Sequence, residues 1–470
     1  MATRAATSVP GYLPNDRPEP TRLVLLGLQH VITMFPATVL VALLCGFHVS
    51  TVLLGAGVST IVALVLSRKG IGMYIPLFYG SSFSYIAAYL GLAEALGHPV
   101  KFGVPSPDEV ISVMQAGIIG TGILNIIVGF VIKQLGKERL DRVLPPVVTG
   151  SVACVIGIGL AKAALDMSFT VVPGYWGIAL VTLIATVAFS YLLQGKGFIG
   201  MLPILLGAIV GYVLTLVVAP DQISFKNLAE APVFIAPHLT WPSFSGPLVA
   251  TAIFSISIMA IATIPESTAH LYQMSLYVDR LAEEQARPKY HLDRNIGFNL
   301  MLDGLGDVLH GILGATAGTN YGENNSLMAI TRNYSGPALI AAGVICILLA
   351  FVGKLSAFVA TIPVFVSGGL AIYLFGVIGM QGIALMQEHK VNLFDPLQLA
   401  VGATIMVLGI GGNIGFPGGF LPIKIAGVFP QGLPAIATSA VAGIVMWVVF
   451  SALRKQPPVL RDSASVAPMP

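Results

Sequence analysis

An all-α integral membrane protein with 14 transmembrane segments, arranged as two inverted repeats of 7, is the fold class that the sequence predicts. Three observations predict it: pervasive apolarity, a regular succession of apolar blocks, and a motif that recurs seven blocks downstream. Of 470 residues, 24 are Lys or Arg and 21 are Asp or Glu, so charged side chains make up 10 %, against about 25 % in soluble domains. Hydrophobic residues make up 56 %, and the mean hydropathy is +0.87. Surface of that character is solvated by lipid rather than water. An ordinary soluble enzyme, a disordered chain and a nucleic-acid binder are thereby excluded, and a net charge of +3 is too small to attract a polyanion.

Residues 1–22 are polar, carry Pro10, Pro14, Pro18 and Pro20, and lack the apolar core of a cleaved signal peptide; a disordered cytoplasmic tail is expected. Apolar blocks then occupy 23–45, 50–66, 74–92, 109–132, 144–164, 174–194, 198–219, 246–270, 296–313, 319–331, 336–353, 361–385, 393–412 and 427–452. Spanning takes about 20 apolar residues in a helix. Block 319–331 is too short to cross as one continuous helix, and 74–92 is interrupted by Gly80-Ser81-Ser82. Residues 453–470 are expected to form a second cytoplasmic tail. With 52 Gly and 31 Pro in so apolar a chain, close-packed and interrupted helices are expected. Cys45, Cys154 and Cys346 lie singly in apolar runs, fit neither a disulfide framework nor metal spacing, and read as small buried hydrophobes.

Loop charges test the segment count. With a cytoplasmic N-terminus, fourteen crossings return the C-terminus to the same side. Only Lys101, Lys162, Lys226, Lys354 and Lys424 then fall in outer loops, and every other Lys and Arg lies inside. This is the positive-inside bias, and one miscounted helix would invert all later loops and degrade it. The repeat is visible where Phe130-Val131-Ile132-Lys133 precedes Leu144-Pro145-Pro146-Val147-Val148-Thr149-Gly150, and Phe351-Val352-Gly353-Lys354 precedes Ile362-Pro363-Val364-Phe365-Val366-Ser367-Gly368. The Pro-containing blocks open the fifth and twelfth helices. Seven is odd, so the halves are inserted with opposite orientation, an architecture of transporters. The interrupted segments, Tyr79-Gly80-Ser81-Ser82-Phe83 and Asn320-Tyr321-Gly322-Glu323-Asn324, stand at the third place of each half. Equivalent interruptions point to a midplane site at half-helix N-termini.

Few ionisable groups lie inside the spans. Glu266 sits toward the end of the eighth block, and His270 follows at i+4 on the same face, within reach. Glu323 occupies the interrupted tenth block. Gln29 and His30 lie in the first, with Pro36 beyond to bend it, and Asp303, Asp307 and His310 line the ninth, where packing or capping competes with function. A carboxylate at this depth costs several kcal/mol if ionised and unpaired, so it tends to hold a proton. Beside an imidazole it can take or release that proton, as a proton-coupled carrier requires. Interhelical hydrogen-bond glue is the structural alternative; a metal site lacks HExxH and any cysteine partner, and an intramembrane enzyme lacks a nucleophile–base pair, so no enzymatic activity is expected.

Four motifs carry a resemblance: Leu28-Gln29-His30 with Ala37-Thr38-Val39-Leu40; Gly80-Ser81-Ser82-Phe83; Glu266 to His270; and Thr319-Asn320-Tyr321-Gly322-Glu323-Asn324 with Met328-Ala329-Ile330-Thr331-Arg332. Over residues 22–452 the chain resembles the nucleobase–ascorbate transporter family (nucleobase:cation symporter-2), most of all its uracil:proton symporter branch. The resemblance implies core domains at 23–132 and 246–353, gate domains at 144–219 and 361–452, and short strands in segments 3 and 10 that frame the site. It implies substrate binding by Glu266, Glu323, Phe83, Tyr321, Gly322 and Ala37, and proton coupling by Glu266, His270 and His30. Symport of a nucleobase, uracil first, is the expected function, with xanthine or another purine, or anion transport on the same fold, as alternatives. Asn325-Ser326 depart from the apolar-or-Thr then Gly pattern usual after Tyr-Gly-Glu-Asn, while Glu323 stands where the purine branch typically has Gln. No cofactor is expected beyond the coupling ion H+. The expected setting is the plasma or inner membrane, multi-pass with both termini cytoplasmic; the expected partners are lipid and a small nucleobase, with no nucleic acid, and a homodimer would form through the gate domains.

Overall fold

The computed structural model describes residues 11–136, 142–246, 248–426 and 428–453, with the side chains of residues 135 and 201 left aside. Residues 1–10 and 454–470 of the expected tails, and Lys137 and Arg139 of the inner loop, lie outside the described residues. Among the described residues, nine helices are long and apolar enough to cross a membrane, and three shorter apolar helices accompany them. Two interrupted segments complete the fourteen, each a short strand leading into a half-helix.

Segment 1 is Pro20–Cys45, segment 2 Val49–Ile71 and segment 4 Asp108–Leu135. Segment 5 is Pro146–Gly159 continued by Ala161–Phe169, and segments 6 and 7 are Trp176–Leu192 and Pro203–Val218. Segment 8 is Val249–Ser257 continued by Ala260–Glu284, segment 9 Ile296–Leu313 and segment 11 Gly336–Ala350. Segment 12 is Val364–Glu388, segment 13 starts with Pro396–Met406 and segment 14 is Ala435–Leu453. Segment 3 opens with β1 (Tyr79–Ser81) and continues as the helix Ile86–Ala95; segment 10 opens with β2 (Gly318–Asn320) and continues as the helix Gly322–Thr331.

The two strands pair antiparallel, Tyr79 opposite Asn320 and Ser81 opposite Gly318. The ladder runs on through Tyr321 N donating to the Phe78 carbonyl (2.9 Å) and Ser82 N to that of Ala317 (3.0 Å). Each strand thereby satisfies the other's backbone, which non-helical chain at bilayer depth requires. The inverted repeat reappears in the packing. Segment 4 lies on segment 9 and segment 2 on segment 11, pairs that exchange under the seven-segment offset. Each contact rests on facing glycines. A Cβ on Gly122 would sit 2.5 Å from the Gly304 carbonyl oxygen, and one on Gly57 2.6 Å from that of Gly343. Small residues let the backbones approach where lipid offers no hydrophobic drive.

Two expectations are corrected. The N-terminal segment is not a disordered tail from residue 11 onward. Leu13 is fully buried, Tyr12 N donates to the Arg332 carbonyl, Tyr334 N to that of Tyr12, and the Arg287 guanidinium grips Asp16 through both oxygens at 2.7 and 2.8 Å. Polar composition hid one buried leucine and a bidentate pair, which together dock this stretch. Segment 8 runs on to Glu284 instead of ending at 270. Its helix emerges from the apolar layer and continues, because intrahelical hydrogen bonds persist in water.

Candidate functional site

β1 and β2 lie side by side and antiparallel, and each releases the chain into a half-helix from opposite ends of the ladder. At Gly322 the tenth segment turns helical, and the first-turn N–H groups have no intrahelical acceptor. Two close approaches demand glycine. A Cβ on Gly80 would meet the Tyr321 ring at 2.7 Å, and one on Gly322 would lie 3.0 Å from His270 Nε2. The Tyr321 hydroxyl donates to the Ser81 carbonyl (2.8 Å) and lies 2.8 Å from Thr38 Oγ1, so segments 1, 3 and 10 are locked at one point.

Beside this junction lies a cavity of about 640 Å³, within the usual range for small-molecule sites. Phe83, Glu266, His270, Tyr321, Gly322 and Glu323 line it. Glu266 stands mid-helix in segment 8, directly after Pro265, whose ring removes one helical N–H. The carboxyl groups of Glu266 and Glu323 have no hydrogen-bond partner among the described residues; both residues line the cavity, half-buried. An unpaired carboxyl pair flanking a roomy space can accept and donate to a flat polar ligand.

The imidazole at i+4 from Glu266 turns elsewhere. His270 Nδ1 lies 2.6 Å from Asn320 Oδ1, and Asn320 Nδ2 donates to Ser267 Oγ at 2.7 Å. Ser267 in turn donates to Asp303 and accepts from Asn299 Nδ2 (2.9 Å), whose Oδ1 takes the Tyr79 hydroxyl (3.3 Å). A buried chain of six side chains thus runs from the cavity wall to segment 9. Asp303 belongs to it. Asp307 instead accepts the Gly318 N–H at 2.7 Å, and His310 spans the Thr316 carbonyl and Ser59 Oγ, so both hold the start of β2.

Two expected site residues lie off the cavity. His30 is buried and receives Asn324 Nδ2 on its ring nitrogen and on its carbonyl, each at 3.1 Å. It braces the helix that carries Glu323. Ala37 is 3 % exposed and packed in the core, absent from the cavity lining. Ser326 lines the cavity, whereas Asn325 is fully buried.

Sequence reasoning missed Ser267 and Asn320 as hubs, although Ser267 and His270 share a helix face at i+3. It also missed Thr149 and Ile156 of segment 5 and Gln381 and Glu388 of segment 12, which line the same cavity. Gln381 and Glu388 are seven apart in a largely apolar helix, which places them on one face and was a legible signal.

The sequence profile of the Permease family matches residues 21–418. The uracil permease of Bacillus caldolyticus is 32 % identical over 438 residues, covering 92 % of this chain and 92 % of that one. The uracil permease of Escherichia coli (strain K12) is 34 % identical over 418 residues, covering 85 % and 88 %. Among solved structures, the transmembrane domain of the cyanobacterial bicarbonate transporter BicA superposes with a TM-score of 0.56 at 13 % identity, covering 93 % of this chain and 99 % of that one, which is a likeness of fold. The chain belongs to the Permease family, as a multi-pass membrane protein of two inverted seven-segment repeats.

Proposed function

We propose that this chain is a secondary active transporter, and not an enzyme, that carries a nucleobase, uracil first, across the cytoplasmic membrane together with a proton. The observation that carries the reading is the pair of unpaired carboxyls, Glu266 and Glu323, facing one cavity beside the paired strands. Uracil is flat, neutral and edged with alternating donors and acceptors. A protonated carboxyl offers one donor and one acceptor to such an edge. The free N–H groups at Gly322 and Glu323 supply further donors at the half-helix end. The names of the permease relatives support uracil, and the carboxyls of Glu266, Glu323 and Glu388 along the cavity oppose an anionic cargo.

The coupling logic is electrostatic. A neutral base gains nothing from the membrane potential, whereas one co-transported proton brings about 2.3 kcal/mol per 100 mV. That exceeds the roughly 1.4 kcal/mol needed for tenfold accumulation. Glu266 takes the proton in this reading; His270 positions the segment 10 turn through Asn320, and His30 braces Glu323 from behind. Segments 1–4 and 8–11 form the core, segments 5–7 and 12–14 the gate, and the cavity lies between the two. It reaches Gly200, before segment 7, and Glu388, at the end of segment 12. Both lie on the side with the excess of basic residues, so the cavity faces the cytoplasm with both termini. A dimer through the gate domains is the assembly that goes with this reading, measurable by light scattering in detergent.

Uptake of labelled uracil in cells lacking their own carrier tests the proposal. Glu323→Ala and Glu266→Gln are expected to cut uptake ten- to hundredfold, as loss of a charge-assisted hydrogen bond of about 1.5–3 kcal/mol implies. Uptake that survives both changes, or that persists after a protonophore, would reject the roles. Competition by xanthine but not uracil would move the substrate to the purines.

A further inference from the structure

Three of the eight histidines, His48, His98 and His238, sit on the face opposite the cavity mouth. His48 precedes segment 2, Asp108 opens segment 4, and His238 lies in the strap that joins segment 7 to segment 8 and hence the two repeats. The donor atoms of His48, Asp108 and His238 all fall within 4.8 Å of one another. His238 Nε2 lies 2.8 Å from Asp108 Oδ1, and the two imidazole rings stand 4.3 Å apart between centroids. The His48 imidazole has no hydrogen-bond partner among the described residues, so its ring nitrogens are uncommitted beside His238 and Asp108.

We propose that His48, Asp108 and His238 form a divalent transition-metal site of the zinc class, clipping the inter-repeat strap to the turns before segments 2 and 4. Two imidazoles and a carboxylate are donors that Zn2+ takes readily, with a water as the fourth ligand. Ligands about 2.0–2.1 Å from zinc stand about 3.4 Å apart, so modest rotation of the exposed His238 and Asp108 side chains closes the site. The strap is already held in place. Ile235 N donates to the Phe351 carbonyl (3.0 Å), Gln115 Nε2 to that of Thr240 (2.9 Å) and Ser243 N to that of Ser112 (2.9 Å), while Thr51 Oγ1 donates to that of His238 itself. A preset backbone leaves little ordering to be done when the ion arrives. Glu109 beside Asp108 adds a second negative charge, which offsets the positive end of the segment 4 helix. The other His/Asp group, Asp279, His291 and Asp293, is committed elsewhere: Asp279 Oδ1 accepts the N–H groups of Tyr290 (2.7 Å) and His291 (3.1 Å), and Asp293 Oδ1 accepts from Ser275 (2.8 Å).

Tag-free, full-length protein in detergent, stripped with a chelator, is titrated with Co2+ and followed by visible d–d absorption, then back-titrated with Zn2+. One saturable equivalent displaced by Zn2+ is expected, with a raised melting midpoint. His48→Ala and His238→Ala should each weaken binding at least tenfold, and His291→Ala should leave it unchanged. His238→Cys should retain binding and add a thiolate-to-cobalt band in the near ultraviolet, a positive signature that stands even if an alanine variant fails to fold. No saturable cobalt band in the parent protein, parent affinity in both alanine variants, absence of the thiolate band, or loss of binding in His291→Ala would overturn the proposal.

Discussion

Gly322 shows how one residue ties the backbone to the chemistry. It begins the half-helix of segment 10, and its missing side chain leaves room for the His270 ring, 3.0 Å from where a Cβ would stand. Gly322→Ala should push His270 off Asn320 and spoil the turn that presents Glu323. Uracil uptake is expected to fall at least tenfold with the amount of protein in the membrane unchanged; uptake at the parent level would show that the approach has slack. At this scale the sequence was most legible where chemistry is unusual for its surroundings. Glu266, Glu323 and Phe83 announced themselves as polar or interrupting features in apolar blocks, and all three line the cavity. Ala37 did not, because nothing in an alanine within a helix says which way it faces.

At the scale of elements, segments 4 and 9 meet on Gly122 and Gly304, and a Cβ on Gly304 would lie 2.4 Å from the Gly122 carbonyl oxygen. Gly304→Val forces the helices apart, an overpacking cost of about 1–3 kcal/mol. A lowered melting midpoint in detergent is the expected result, and an unchanged midpoint would mean that the pair has room to slide. The same change also tilts segment 9, which carries Asp303 into the Ser267–Asn320 network, so ligand affinity should weaken along with stability. Segment boundaries were readable because a lipid-solvated helix must be apolar over its whole crossing. The continuation of segment 8 to Glu284 was not, because a helix in water obeys no such rule.

At the scale of the whole molecule, the cavity extends to Gly200 and Glu388. Ser326→Cys, in a background with Cys45, Cys154 and Cys346 replaced, places a thiol on the cavity wall. A membrane-impermeant maleimide should label it in inside-out vesicles and be blocked by uracil. Labelling only from the opposite face would reverse the orientation drawn from the basic loops.

The sequence by itself determined that the chain is a lipid-solvated bundle of fourteen crossings, that its halves are inverted copies, that glycine-containing polar breaks interrupt two matching places, and that two acids lie within the apolar blocks. Each follows from composition or from counting, since the cost of putting charge or free backbone in hydrocarbon is paid locally. Only the tertiary structure decided which polar groups meet. His270 turns to Asn320 and not to Glu266, His30 backs Asn324, residues 11–19 dock against the loop after segment 10, and a strap brings His238 to His48 and Asp108. Those partnerships join positions far apart in the chain, and helix packing in three dimensions selects them after local periodicity has done its part.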